Sequence, residues 1–115
     1  MSEPVKQPLC VFRGDFLQIR FTARDTNGAL IDLTGAEIQW ELRTADGTDP
    51  IATLTVGSGI NVEDQLSLRG QFVLQVPAAT TDLTPAVYRH SLRITTTIGQ
   101  PITAIPPSDF EILVR

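Results

Sequence analysis

Apolar and polar residues alternate along several short segments of the 115-residue chain. In "FLQIRFTAR", from Phe16 to Arg24, the apolar side chains after Phe16 fall at odd positions and the polar ones at even positions. A period of two is that of a half-buried β-strand. The same alternation recurs in "AEIQWELRT", "QFVLQV", "AVYRHSLRITT" and "DFEILVR". These segments are therefore predicted strands with one inward and one outward face.

Turn signals separate the predicted strands about every ten residues, as in "DTNG", "DLTG", "ADGTDP" and "GSG". "INVEDQLSLRG" predicts a short strand and a loop, "PAATTDL" a crossover with one helical turn, and Pro106 with Pro107 a break before the last strand. The residues expected in the core are Leu17, Ile19, Phe21, Ile38, Trp40, Leu42, Phe72, Leu74, Val76, Leu92, Ile94, Phe110, Ile112 and Val114.

This pattern predicts an all-β fold, an immunoglobulin-like antiparallel β-sandwich of seven or eight strands. We expect a flexible N-terminal arm over residues 1–8 and a single domain over residues 9–115. The inward Trp40 suits a sandwich core, but the cysteine pair of antibody domains is absent because Cys10 is the only cysteine.

Composition narrows the classes of function. Thirteen acidic against nine basic residues argue against nucleic acid as a partner. No apolar run approaches the roughly 20 residues of a membrane-spanning helix, and the N-terminus lacks the pattern of a secretory signal. A lone cysteine excludes an internal disulfide and a multi-cysteine zinc site. We expect no cofactor, no metal and no membrane contact.

The stretch "LTPAVYRHS" contains the only Tyr and the only His of the chain. Leu83, Pro85 and Tyr88 have the spacing of the corner in which a tyrosine hydroxyl bonds backbone a few residues upstream, here expected near Thr81 to Thr84. His90 could act as a base only beside a second positioned group, and no neighbouring motif supplies one. The structural interpretation is favoured, and no catalytic residue is predicted.

Two further features of the sequence have simpler interpretations than a binding site. Arg13–Asp15 forms the tripeptide that some adhesion proteins display, yet it lies between two apolar segments and fits a bend better. Several aspartates fall in predicted turns without the spacing of a calcium loop, which favours Asx turns. They are Asp25, Asp32, Asp46, Asp49 and Asp64.

Outward polar side chains are candidates for docking another protein. The candidate docking residues are Gln18, Arg20, Thr22, Arg24, Arg89 and Arg93. Antiparallel sheets commonly leave one face in water, so a solvated surface is the simpler alternative for both strands.

The order of the turn motifs from Gly14 to Val114 resembles the immunoglobulin-like N-terminal domain of bacteriophage upper baseplate proteins and related phage tail proteins. The matching motifs are "GD" at Gly14, "IDLTGA" from Ile31, "LRTADGT" from Leu42, "SGI" from Ser58 and "TDLTPAVYRHSLRI" from Thr81. The resemblance implies a non-enzymatic structural protein of the virion, made in the bacterial cytoplasm. Its implied partners are tail, baseplate or capsid subunits, including further copies of itself.

Two rival classes of function, a binding module and an enzyme, and one variant of the structural interpretation, a capsid-decorating protein, are the alternatives. A module that binds glycan or host surface would favour exposed aromatic side chains, whereas Trp40 and Tyr88 are predicted inward. A capsid-decorating protein differs only in where it assembles. A carboxylate hydrolase is disfavoured because no pair of acids shares a predicted cleft.

Overall fold

The computed structural model describes residues 6–25, 27–47 and 49–114, and these form an all-β fold. The strands are β1 (Leu9–Phe12), β2 (Leu17–Thr22), β3 (Glu37–Thr44), β4 (Ala52–Val56), β5 (Gly59–Val62), β6 (Gln71–Val76), β7 (Ala86–Thr95) and β8 (Pro101–Leu113). One four-residue helix, α1 (Ala78–Thr81), follows β6. The eight strands, the loop after β5 and the helical turn in "PAATTDL" agree with the prediction.

All eight strands belong to one nearly closed sheet, in the order β1-β8-β7-β3-β4-β5-β6-β2. The sheet is mixed, which corrects the expectation of a wholly antiparallel one. β1 runs parallel to β8, and β4 runs parallel to β5. Between β4 and β5 the chain makes a turn at Gly57, where φ is 86°, and moves sideways without reversing direction. Such a φ strongly favours glycine, so the local sequence permits this step.

The core is formed by the inward side chains of the central strands. The predicted core residues that are buried are Ile38, Trp40, Leu42, Phe72, Leu74, Val76, Leu92, Ile94, Phe110 and Ile112. Leu17, Ile19 and Phe21 are only half-buried, because β2 pairs with β6 on one side and with no described strand on the other. Buried apolar residues that the alternation did not select include Val11, Leu33, Leu54, Ile60, Val73 and Ile105.

Two expectations for the C-terminal strand are wrong. Val114 is 74% exposed, because β8 ends at Leu113 and the inward alternation ends with it. Pro106 and Pro107 do not break the strand but lie inside β8, where the register against β7 shifts beyond His90. Extra residues at such a bulge need not donate to the ladder, so proline is tolerated there.

The predicted N-terminal arm is described only in part. Residues 1–5 lie outside the described residues. Gln7, two residues before β1, donates its backbone N–H to Ser108 Oγ at 3.1 Å and accepts a hydrogen bond from His90 at its carbonyl. The chain is therefore attached to the sheet from Gln7 onward, before Leu9.

Candidate functional site

The stretch from Leu83 to Tyr88 forms a corner before β7. Tyr88 is 8% exposed, and its hydroxyl donates to the Thr84 carbonyl oxygen at 2.6 Å. Leu83 packs against the core, and Pro85 is half-buried. The hydroxyl thus bonds within the stretch that the corner predicts, and the ring is unavailable to a ligand.

His90 belongs to a buried cluster of rings. It is 1% exposed and lies edge-on to Phe110, with ring centroids 5.7 Å apart. Trp40 Nε1–H donates to His90 Nδ1 at 3.0 Å, and His90 Nε2 lies 2.6 Å from the Gln7 carbonyl oxygen. Because an indole nitrogen only donates and a carbonyl only accepts, the ring is neutral with its proton on Nε2.

Both nitrogens of His90 are therefore occupied, and this ring cannot act as a general base without losing a buried hydrogen bond. Burial lowers the pKa of His90 below its ordinary value of 6.5, and the Gln7 carbonyl opposes that shift by favouring the cation. His90, which the sequence predicts to be a structural residue, is buried among aromatic rings and hydrogen-bonded at both ring nitrogens.

Side chains on the outer side of β2, β6 and β5, together with Glu63 just after β5, form a polar surface, which we call the amide face. Its residues are Gln18, Arg20, Asn61, Glu63, Gln71 and Gln75. Asn61 donates to Gln75 at 3.3 Å, and Gln75 donates to Gln18 at 3.2 Å. Arg20 contacts Gln71 and Glu63, each at 3.4 Å. The face therefore contains two hydrogen-bonded groups, one centred on Gln75 and one on Arg20.

The predicted docking residues do not share one surface. Gln18, Arg20 and Thr22 lie on the outer side of β2. Arg24 lies beyond that strand and donates to the Gly28 carbonyl at 3.0 Å, so it closes a turn. Arg89 and Arg93 lie on the outer side of β7, where the Arg89 guanidinium is 3.8 Å from Asp109. The sequence could not show that the two faces are separate.

The turn at Arg13–Asp15 is fastened to α1. Arg13 forms an ion pair with Asp82 at 3.0 Å, and the Gly14 N–H donates to the Thr81 carbonyl. The Thr81 hydroxyl donates to the Asp15 carbonyl at 2.7 Å. These contacts support the bend and oppose display of the tripeptide on a protruding loop.

Three of the turn aspartates accept hydrogen bonds from nearby backbone. Asp25 accepts from Asn27 and Ala29, and Asp64 from Leu66. The hydroxyl and amide of Thr34 both donate to Asp32, which lowers the pKa of that carboxyl. Asp46 and Asp49 are exposed. Within the described ranges, no three metal-ligating side chains come together.

Comparisons with known proteins assign no family. Neither a scan against protein-family models nor a search of the curated proteins finds a match to this chain. Among residues 6–114, leaving aside positions 26 and 48, no helix is long and apolar enough to cross a bilayer.

Proposed function

We propose that this protein is a non-enzymatic, immunoglobulin-like module of a phage or prophage virion, associated with the tail or baseplate, that joins neighbouring subunits. The proposal rests on the ordered turn motifs of the sequence together with the amide face. Its location is the virion, after synthesis in the host cytoplasm.

The strand order supports the immunoglobulin-like part of the proposal. β2, β6 and β5 form one group, and β4, β3, β7, β8 and β1 form the other, with the chain passing between them at Gly57. Divided at this short β4–β5 pairing, the strand order is compatible with a two-layer sandwich, with β6 inside one layer and β3, β7 and β8 inside the other. The corner at Tyr88 lies at the start of β7, the position that the tyrosine corner takes in such domains.

The observation that carries the assembly function is the hydrogen bonding within the amide face. A surface side chain loses conformational entropy when it is fixed in an interface, at about 0.5–1.5 kcal/mol for a long flexible one. Gln75 and Arg20 already hydrogen-bond to side chains from neighbouring strands, so part of their conformational entropy is lost before a partner binds. A preorganised polar face suits repeated weak contacts in a symmetric assembly.

Particle analysis tests the proposal directly. We expect the open reading frame to lie among tail or head genes, and we expect mass spectrometry of purified particles to detect the protein at stoichiometric amounts. A control strain with the gene deleted should give particles that lack it and fail to assemble normally. A position in an operon of secreted enzymes, together with absence from particles, would contradict the proposal.

Binding to bacterial surface glycan is the alternative, and the amides of Gln18, Gln75 and Asn61 favour it because they offer paired donors and acceptors. Against it, Trp40 and Tyr88 are buried and cannot stack on a sugar. A glycan array with wild-type protein distinguishes the two functions, and we expect no binding above background.

A further inference from the structure

Two buried side chains hold the chain just before β1. The Gln7 carbonyl accepts a hydrogen bond from His90 Nε2 at 2.6 Å, and the Gln7 N–H donates to Ser108 Oγ at 3.1 Å. Ser108 in turn donates to the Pro106 carbonyl at 2.7 Å. His90 and Ser108 lie opposite each other on β7 and β8, so both contacts come from one site on the inner side of the sheet.

β1 has few other attachments. It pairs with β8 alone, over the four residues Leu9–Phe12, and only Val11 among them is buried. No described strand lies along its other edge. Losing the contacts at Gln7 would therefore leave the N-terminal end of β1 held by one parallel pairing and by the buried Val11, while the turn at Arg13–Asp15 still fastens its C-terminal end to α1.

We propose that His90 is a pH-sensitive latch for the N-terminal strand, which the neutral ring holds on the sheet and the protonated ring releases. The inference stands independently of the function proposed above. No bond is made or broken apart from hydrogen bonds, and the single proton comes from solvent.

The geometry makes the protonated ring incompatible with its site. A proton on Nδ1 would face the Trp40 N–H across 3.0 Å, so two donors would oppose each other. The groups around the ring are the Trp40 and Phe110 rings that contact it, Leu42 on β3 and Ser108 on β8 that lie opposite it in register, and the Gln7 backbone.

None of the described groups packed against the ring carries a charge that could neutralise an imidazolium. The titratable group on the same face of β7 is the Tyr88 phenol, whereas Asp109 and Glu111 on β8 are exposed. The buried cation would therefore lack a counter-ion.

The Gln7 carbonyl is the one group at the site that favours the cation. Burial outweighs it, so the pKa of His90 is lowered in the closed state. Water can hydrate the charged ring once the chain at Gln7 lifts away, since that chain covers Nε2. Opening relieves part of the burial and raises the pKa of His90 back towards its ordinary value, so acid favours the open state.

The coupling between His90 protonation and strand release determines how strongly the released population depends on pH. Between the ordinary pKa and the lowered one, the open state binds one more proton than the closed state. The population of the released strand should then rise about tenfold for each unit of falling pH, and level off at the folded-state pKa. Above pH 6.5 it should not depend on pH.

Hydrogen exchange by NMR tests the latch on the intact protein. We would measure protection factors, corrected for intrinsic exchange, for Leu9–Phe12 and for β6 as reference, between about pH 7.5 and about pH 5. The single His gives one imidazole titration that locates its pKa in the same sample. We expect β1 to lose protection about tenfold per unit below pH 6.5 while β6 keeps its protection.

Two variants separate titration from simple attachment. His90→Gln keeps an amide at the site but does not titrate, so β1 protection should become independent of pH. Ser108→Ala should lower β1 protection at every pH and leave its pH dependence unchanged.

The latch is overturned if wild-type β1 protection does not change with pH while His90 titrates, because the ring would then accept its proton without releasing the strand. It is equally overturned if β6 loses protection in step with β1, because the whole fold would then be opening. Should His90→Gln fail to fold, wild type and Ser108→Ala still decide.

Discussion

Strands β7 and β2 have the same alternation of apolar and polar residues but differ in how deeply they are buried. On β7, which lies between β3 and β8, His90, Leu92 and Ile94 are at most 1% exposed. On β2, which pairs with β6 alone, every inward residue remains half-exposed. Alternation therefore identifies the inward face of a strand, while the number of neighbouring strands sets the depth of burial.

The two strands also differ in where their polar groups make contacts. β7 directs His90 inward, where its hydrogen bonds reach Trp40 on β3 and the backbone at Gln7. β2 directs its polar side chains outward, where Gln18 and Arg20 join the amide face. Buried polar contacts stabilise one arrangement of the chain, and exposed ones offer a surface for association.

A matched pair of leucines gives the largest expected contrast. Leu92 on β7 is 1% exposed, whereas Leu17 on β2 is half-buried. Leu92→Ala should lower the free energy of unfolding by about 2–5 kcal/mol, because it leaves a cavity in a packed core. Leu17→Ala should cost about 1 kcal/mol, since less area is lost and solvent can fill the space.

Equilibrium denaturation in urea measures both values, with equal slopes required for the comparison. Equal losses for the two variants would show that the free edge of β2 is covered in solution, for example by a second copy. Repeating the measurement over a range of protein concentrations distinguishes that outcome from a rigid monomer.

Tyr88→Phe should have an intermediate effect. It removes the hydroxyl that donates to Thr84 at 2.6 Å and leaves the ring in the core. The expected loss in unfolding free energy is about 1 kcal/mol, the net value of such a bond. Thermal unfolding checks it, with wild type as reference. A loss near zero would mean that water replaces the hydroxyl at Thr84 and that the corner contributes little to the fold.

Local features could be predicted from the sequence because their partners are close along the chain. The corner joins Tyr88 to Thr84, four residues apart. The inward faces of β3 and β7 followed from alternation, and the turn at Asp25 from an Asx pattern. Each of these is determined within a short segment, so one sequence contains the signal.

Features that depend on distant partners could not be predicted. The hydrogen bonds from His90 to Trp40 and to Gln7 span 50 and 83 residues. Nothing local indicated that β1 would run parallel to β8, or that a bulge would carry Pro106 and Pro107 through β8. Likewise, the amide face needs three strands to meet, and the sequence showed only the β2 part of it.

Arginine substitutions on the two outer faces should have the smallest effect on stability. Arg20 is 54% exposed and contacts Glu63 at 3.4 Å, whereas Arg89 is 47% exposed and lies 3.8 Å from Asp109. Exposed pairs of this kind contribute about 0–1 kcal/mol, so Arg20→Ala and Arg89→Ala should both unfold close to wild type.

Binding to a neighbouring subunit should distinguish the amide face from the outer side of β7, although the unfolding free energy does not. If the amide face docks a neighbouring subunit, Arg20→Ala loses the guanidinium that bridges Gln71 and Glu63, and binding in a co-purification assay should weaken at least about tenfold. Arg89→Ala, with a similar exposure and an equal change of charge, should bind as wild type. The reverse result would move the docking surface from β2 to the outer side of β7, and wild-type binding by both variants would exclude a contact through either arginine.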